Sequence, residues 1–198
     1  MAGSSIFADV SNYLIKLIQD HMCPDFLSGP EQIKLTASMG AEADYLVGLY
    51  LYDIKEDLEI MTPYLTRNEK QQLERPPRPY QLFYLIFLSD SALLNPGEAQ
   101  SIVGRIAQVI SDHAYVTYET LGVWSEEDKP AVVFSQMALG MEEKAGIWRA
   151  LNRPYQMSLF YQAAPVFLAS EVKEEIPIVT EAVLNFIENT EEGGERDG

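Results

Sequence analysis

Two histidines, one cysteine and several clustered carboxylates are the side chains here with the chemistry of a base, a nucleophile or a metal ligand. His21 and His113 each fall where the apolar spacing of a predicted helix runs out. There a cation faces the last carbonyls and complements the helix dipole, so both read as helix-end residues rather than general bases. Cys23 stands beside Pro24, and its only basic sequence neighbour is His21. With no group to stabilise a thiolate, it reads as a structural thiol. Carboxylates cluster in "IKEDLE" (Ile54–Glu59) and "WSEEDK" (Trp124–Lys129). Neither has calcium-loop spacing, so both read as solvated charged turns. No Gly-rich phosphate loop, G-x-S-x-G, H-E-x-x-H or metal-spaced cysteine set is present. The expectation is a chain that is not an enzyme, with no cofactor and no metal.

One stretch is built for contact. "RPPRPYQLFYLIFLSD" (Arg75–Asp90) runs a proline-basic cluster into a nearly apolar segment. Pro76-Pro77-Arg78-Pro79 contains a P-x-x-P, which either docks in an aromatic groove or holds an extended lead-in to a strand. The second reading is the plainer. Tyr45, Tyr50, Tyr52, Tyr80, Tyr84 and Tyr161 make an aromatic stripe of core and interface type. No Lys or Arg ladder accompanies it, as a single-strand nucleic-acid platform requires.

The elements that must position these residues sit in a chain of 198 residues, 47% hydrophobic and 22% charged, with a formal net charge of −16. Length and balance are those of one globular domain, read as residues 1–187. The last eleven residues, 188–198, are acidic, Gly-rich and read as a disordered tail. Strong acidity argues against binding a phosphate backbone. A lone cysteine fits a reducing compartment. The start carries no basic, apolar signal pattern, and no apolar run reaches the ~18 residues of a membrane helix. No nucleic-acid or membrane partner is expected.

A helix is predicted from Ser5 to His21, with Ile6, Val10, Leu14, Leu17 and Ile18 on one face and Pro24 beyond its end. A short strand carries Ile33 and Leu35. Tyr45–Ile54 reads as a strand covered on both faces, with Gly48 a bulge or a close approach. A long irregular connection follows to Arg78. The next strand starts near Tyr80; Leu82, Tyr84, Ile86 and Leu88 face one way, and Phe83, Leu85 and Phe87 the other. It pairs antiparallel with Tyr45–Ile54. Asn95, Pro96 and Glu98 announce a capped helix running to His113. Short strands flank the acidic turn within Ala114–Gln136. A third helix spans Leu139–Leu151. Tyr155–Ser170 reads as a strand with Pro165 at an edge or bulge, and 176–187 as a strand. The fold class is α+β: an antiparallel or mixed sheet flanked by about three helices.

Five ordered segments carry a family resemblance: "IFADVSNYLIKLIQDHM" (Ile6–Met22), "LVGLYLYDIKED" (Leu46–Asp57), "RPPRPYQLFYLIFLSD", "IVGRIAQVISDHAYV" (Ile102–Val116) and "IWRALNRPYQMSLFYQAAPVFLAS" (Ile147–Ser170). Together they resemble the N-terminal domain of cap, or tail-terminator, proteins of phage-tail-like contractile injection systems, such as the antifeeding prophage and the Photorhabdus virulence cassette. The resemblance implies a tail-terminator-like fold and a structural role. Such proteins form a homo-hexameric ring on the distal end of the inner tube, stop tube growth and anchor the last sheath layer. It implies inner tube protein and sheath protein as partners, with assembly in the bacterial cytoplasm before residence in the particle. Loops on a rigid scaffold commonly carry binding. Contacts are therefore expected in Glu56–Arg78 and Tyr115–Lys129, at Arg75, Arg78, Tyr64, Tyr115, Tyr118 and Trp124. Two other readings stand beside it: a transient assembly adaptor or chaperone for tube or sheath subunits, and an acidic DNA-mimic inhibitor.

Overall fold

Apolar spacing turns into structure first in the helices. The computed structural model describes residues 3–36, 44–60, 66–67, 73–74, 76–89, 94–122, 132–170 and 173–174. Its helices are α1 (Ile6–Met22), α2 (Pro96–Asp112) and α3 (Met141–Ala150). α1 buries the stripe read from sequence, Ile6, Val10, Leu14, Leu17 and Ile18. Ser5 stands at its N-cap, but its hydroxyl donates to the Asp9 carboxylate at 2.9 Å instead of capping the backbone. α2 opens on a reciprocal cap. The Asn95 side chain accepts from the Glu98 N–H at 2.9 Å, and the Glu98 carboxylate accepts from the Asn95 N–H at 3.1 Å. A cap of this type is worth about 1 kcal/mol.

In chain order the described strands are β1 (Ile33–Leu35), β2 (Val47–Glu56), β3 (Thr66–Arg67), β4 (Leu73–Glu74), β5 (Arg78–Leu88), β6 (Tyr115–Val116), β7 (Val132–Gln136), β8 (Ser158–Leu168) and β9 (Lys173–Glu174). Six form one sheet in the order β1-β2-β5-β8-β7-β6. β1 runs parallel to β2, and every other pairing is antiparallel, so the sheet is mixed. β3, β4 and β9 form a second, three-stranded sheet.

Several expectations shift. The connection before Arg78, read as irregular, contains β3 and β4. β5 begins at Arg78 rather than Tyr80, because Pro79 faces Phe167 within the ladder without having to donate. The strand read from Tyr155 begins at Ser158, whose partner is Phe87; β5 has only Leu88 beyond that point. Pro165 sits at a bulge in an interior strand. Tyr80 pairs with Val166 and Leu82 with Ala163, so Ala164 and Pro165 together oppose the single residue Gln81. A second bulge lies on β2, where Tyr52 is the extra residue between the pairs Leu51–Tyr84 and Asp53–Phe83. The strand expected over 176–187 and the tail at 188–198 lie outside the described residues.

The alternation of β5 divides the molecule into layers. Leu82, Tyr84 and Ile86 join α1 and α2 in the larger core, with Leu49, Ile106 and Ile110. Leu85 and Phe87 face the other way, toward Phe160 and Trp148 of α3. Trp148 is 1% exposed, edge-on to Phe87 with ring centroids 5.8 Å apart, and its indole N–H donates to Ser158 Oγ at 3.1 Å. Gly48, across from Phe87 in the register, makes room for that ring: a Cβ there would collide with it. The close approach expected at Gly48 is therefore the observed one.

Candidate assembly surface

Three strand ends meet at one end of the large sheet. β2 leaves it at Glu56, β5 enters at Arg78 and β8 leaves at Leu168; Glu56 pairs with Tyr80, and Arg78 with Leu168. Connectivity hangs the small sheet from this end, because β3 follows β2, β4 precedes β5 and β9 follows β8. The proline-basic lead-in is stitched to the exit of β2. Arg78 donates to the Glu56 carboxylate at 3.0 Å, Gln81 donates to Asp57 at 2.8 Å, and the Asp57 N–H donates to the Pro79 carbonyl at 2.8 Å. Arg78 stays exposed, so its pairing with Glu56 is solvent-screened and contributes little stability. Beyond it the chain leaves Ile54, Leu58 and Ile60 exposed, Leu58 at 69%. Ile54–Glu59, read from sequence as a solvated charged turn, thus exposes apolar side chains as well. Apolar residues threaded through "DIKEDLEI" are the signal available in the sequence.

The other expected contact residues separate. Tyr115, on the border strand β6, is 76% exposed. Tyr118 is 3% exposed and works inside the chain. Register pairing of β8 with β7 stops at Ala164. Just beyond, the Tyr118 hydroxyl donates to the Pro165 carbonyl at 3.1 Å and accepts from the Phe167 N–H at 2.9 Å. Burial pushes its pKa up to about 12, the bond from Phe167 acting the other way. Tyr64, Arg75 and Trp124 lie outside the described residues.

An open groove of about 560 Å³ runs between α1 and the β1 border, lined by Phe7, Ala8, Ser11, Leu35, Tyr50 and Leu51. Its walls are mainly apolar, with the hydroxyl-bearing Ser11, Thr36 and Tyr50 among them, and they hold neither a carboxylate nor an imidazole. Burial raises the Cys23 thiol pKa, and the charges of Glu31 and Asp20 raise it further, so the thiolate is disfavoured. Among the described residues no group of three or more His, Cys, Asp or Glu side chains is placed to hold a metal. No described helix is long and apolar enough to cross a membrane. The exposed features are an apolar strand end, an arginine paired with Glu56, a border tyrosine and a groove beside α1.

Residues 9–181 match the family model described as the Pvc16 N-terminal domain. Among solved structures the chain is similar to the sheath/tube terminator, in its extended state, of the extracellular contractile injection system PVC. The TM-score is 0.65 at 17% identity, covering 98% of this chain and 67% of that one. It is also similar to the tube-terminating cap of the anti-feeding prophage, with a TM-score of 0.57 at 17% identity over 90% of this chain and 61% of that one. This chain thus spans about two thirds or less of those chains, and at such identity the likeness is one of fold. No curated protein matches.

Proposed function

From the premise that this chain belongs to the Pvc16 N-terminal domain family, we propose that it is the structural cap of a contractile injection system. It forms a homo-hexameric ring on the distal end of the inner tube, stops tube growth and anchors the last sheath layer. The observation that carries this reading is the family match over most of the chain, together with a fold shared with two terminators. A ring is what a head-to-tail interface gives when its rotation closes. A terminator must also present one face that fits the tube and another that refuses the next subunit.

The partners are tube and sheath protein, met in the bacterial cytoplasm during assembly, and the role is non-catalytic. Contact falls to the sheet end around Arg78 with Ile54 and Leu58, to the Glu56–Arg78 connection with Tyr64 and Arg75, and to Tyr115 and Trp124 in the Tyr115–Lys129 segment. Tyr118 positions that segment from within. Arg75 and Arg78 suit carboxylates of an acidic neighbour, because a guanidinium binds a carboxylate with two parallel hydrogen bonds.

The test is the tube-length distribution of particles by negative-stain electron microscopy, with and without the gene. Loss is expected to give overlong or sheathless tubes, and complementation with the Arg75→Glu/Arg78→Glu variant is expected to restore length poorly. Normal tubes in the deletion reject the cap. Full complementation by the charge-reversed chain rejects the role of the arginines alone.

A further inference from the structure

His21 and His113 close α1 and α2, and the fold brings the two rings together. Their centroids stand 4.4 Å apart with the planes inclined at 51°. Both imidazoles are held in the same way. His21 Nδ1 lies 2.9 Å from the Leu17 carbonyl, and His113 Nδ1 lies 3.0 Å from the Val109 carbonyl. A carbonyl oxygen only accepts, so Nδ1 carries the hydrogen in each bond and the neutral ring keeps its lone pair on Nε2. Metal-binding histidines are set up this way, one ring nitrogen pinned by an acceptor and the other offered to the ion.

The spacing agrees. Two imidazoles bound at a right angle to one ion, at metal–nitrogen distances of about 2.0–2.1 Å, put their ring centres about 4.5 Å apart. The field also agrees: the C-terminal carbonyls of two helices converge here and favour a cation. Arg105 is the opposing charge. Its Nη2 donates to the His21 carbonyl at 3.3 Å and its guanidinium lies over the Phe26 ring, which ties it to the α1 terminus and not to either Nε2. His21 is exposed and His113 half-buried, so the pair is open to solvent. Among the described residues no third His, Cys, Asp or Glu side chain joins the pair, so the remaining positions of an ion held there would fall to solvent.

We infer that His21 and His113 form a two-imidazole site for a divalent transition ion of the nitrogen-preferring kind, copper(II) or nickel(II), which clips the ends of α1 and α2 together. The donor set disfavours magnesium and calcium, which take oxygen ligands. This site is independent of the cap reading.

The experiment adds Ni(II), Cu(II) or Mg(II) to the tag-free, metal-free full chain. Nickel at about a hundred times its dissociation constant is expected to raise Tm by roughly 5 °C or more, and magnesium to leave it unchanged. Copper is expected to show coupling to two imidazole nitrogens by electron paramagnetic resonance. His21→Asn and His113→Asn each keep an N–H donor for the carbonyl but lose Nε2; each is expected to cancel the shift, whereas Cys23→Ser keeps it. A wild-type chain with no shift, a one-nitrogen copper spectrum, or a shift that survives either Asn variant overturns the site. If an Asn variant fails to fold, the wild-type copper spectrum alone decides.

Discussion

Tyr118→Phe isolates one oxygen atom that stands in for a missing strand partner. The ring remains, so its packing against Phe167, at 6.5 Å between centroids, is kept and no cavity opens. What goes is a donor to the Pro165 carbonyl and an acceptor for the Phe167 N–H, at a site where the tyrosine is 3% exposed. Two hydrogen bonds at about 1 kcal/mol each, plus part of the 1–3 kcal/mol penalty for stranding buried backbone groups, give a loss of about 3 kcal/mol. With a urea m-value of about 2 kcal/mol/M, the midpoint should fall by about 1.5 M.

The same variant has an alkaline signature. Burial raises the folded hydroxyl to about 12, from the 10.0 of an ordinary tyrosine. Its contribution is therefore complete below pH 10. Between pH 10 and 12 the unfolded chain sheds a proton that the folded chain keeps, and stability falls by about 1.4 kcal/mol per pH unit. Tyr118→Phe should remove that share of the slope. A midpoint within about 0.3 M of wild type, or an unchanged alkaline slope, would refute the reasoning.

The buried pair of Ser11 and Tyr84, 2.9 Å apart, predicts an asymmetry. Ser11 Oγ already donates to the Phe7 carbonyl at 2.8 Å, so the tyrosine must be the donor between them. Ser11→Ala then strands a buried phenol and should cost about 1–3 kcal/mol, whereas Tyr84→Phe leaves Ser11 satisfied and should cost about 1 kcal/mol or less; urea unfolding giving the reverse order would reject this donor assignment. Gly48→Ala drives a methyl into the Phe87 ring and should cost about 1–3 kcal/mol. Near-ultraviolet circular dichroism should register the disturbance at Trp148, and Gly48→Ala/Phe87→Leu should recover part of the stability. Full stability in Gly48→Ala alone would show that the ring moves aside freely.

Local chemistry made much of the fold legible. Asn95, Pro96 and Glu98 are a helix start whatever surrounds them, and the period-two alternation of Leu82–Leu88 assigns each residue to a face. Alternation misled where the ladder ran out, since Tyr155 and Met157 continue the pattern after β5 has no backbone left to pair with beyond Leu88. The contact residues were less legible because exposure depends on tertiary detail. Tyr115 and Tyr118 lie three apart in one segment, yet one is bare and the other closes a gap in β8. Arg78 reads as a cation for a neighbour, yet the pairing of β2 with β5 sets Glu56 opposite Tyr80, and from there its carboxylate reaches the Arg78 guanidinium at 3.0 Å. The meeting of His21 with His113 needed the packing of α1 on α2, which no local pattern encodes.

The large sheet is bordered by strands of three residues, β1, and two residues, β6. Among the described residues β1 pairs with only Val47–Leu49 of β2, so beyond it the border on that flank is carried by β2 itself, from Tyr50 to Glu56. The bulge at Tyr52 and the charges of Asp53, Lys55 and Glu56 blunt that stretch against a second copy's strand, the hazard that long bare strands bring. Whatever adheres to these flanks is chosen by side-chain shape and charge, a vocabulary that substitution can rewrite one residue at a time while the ladder beneath stays intact.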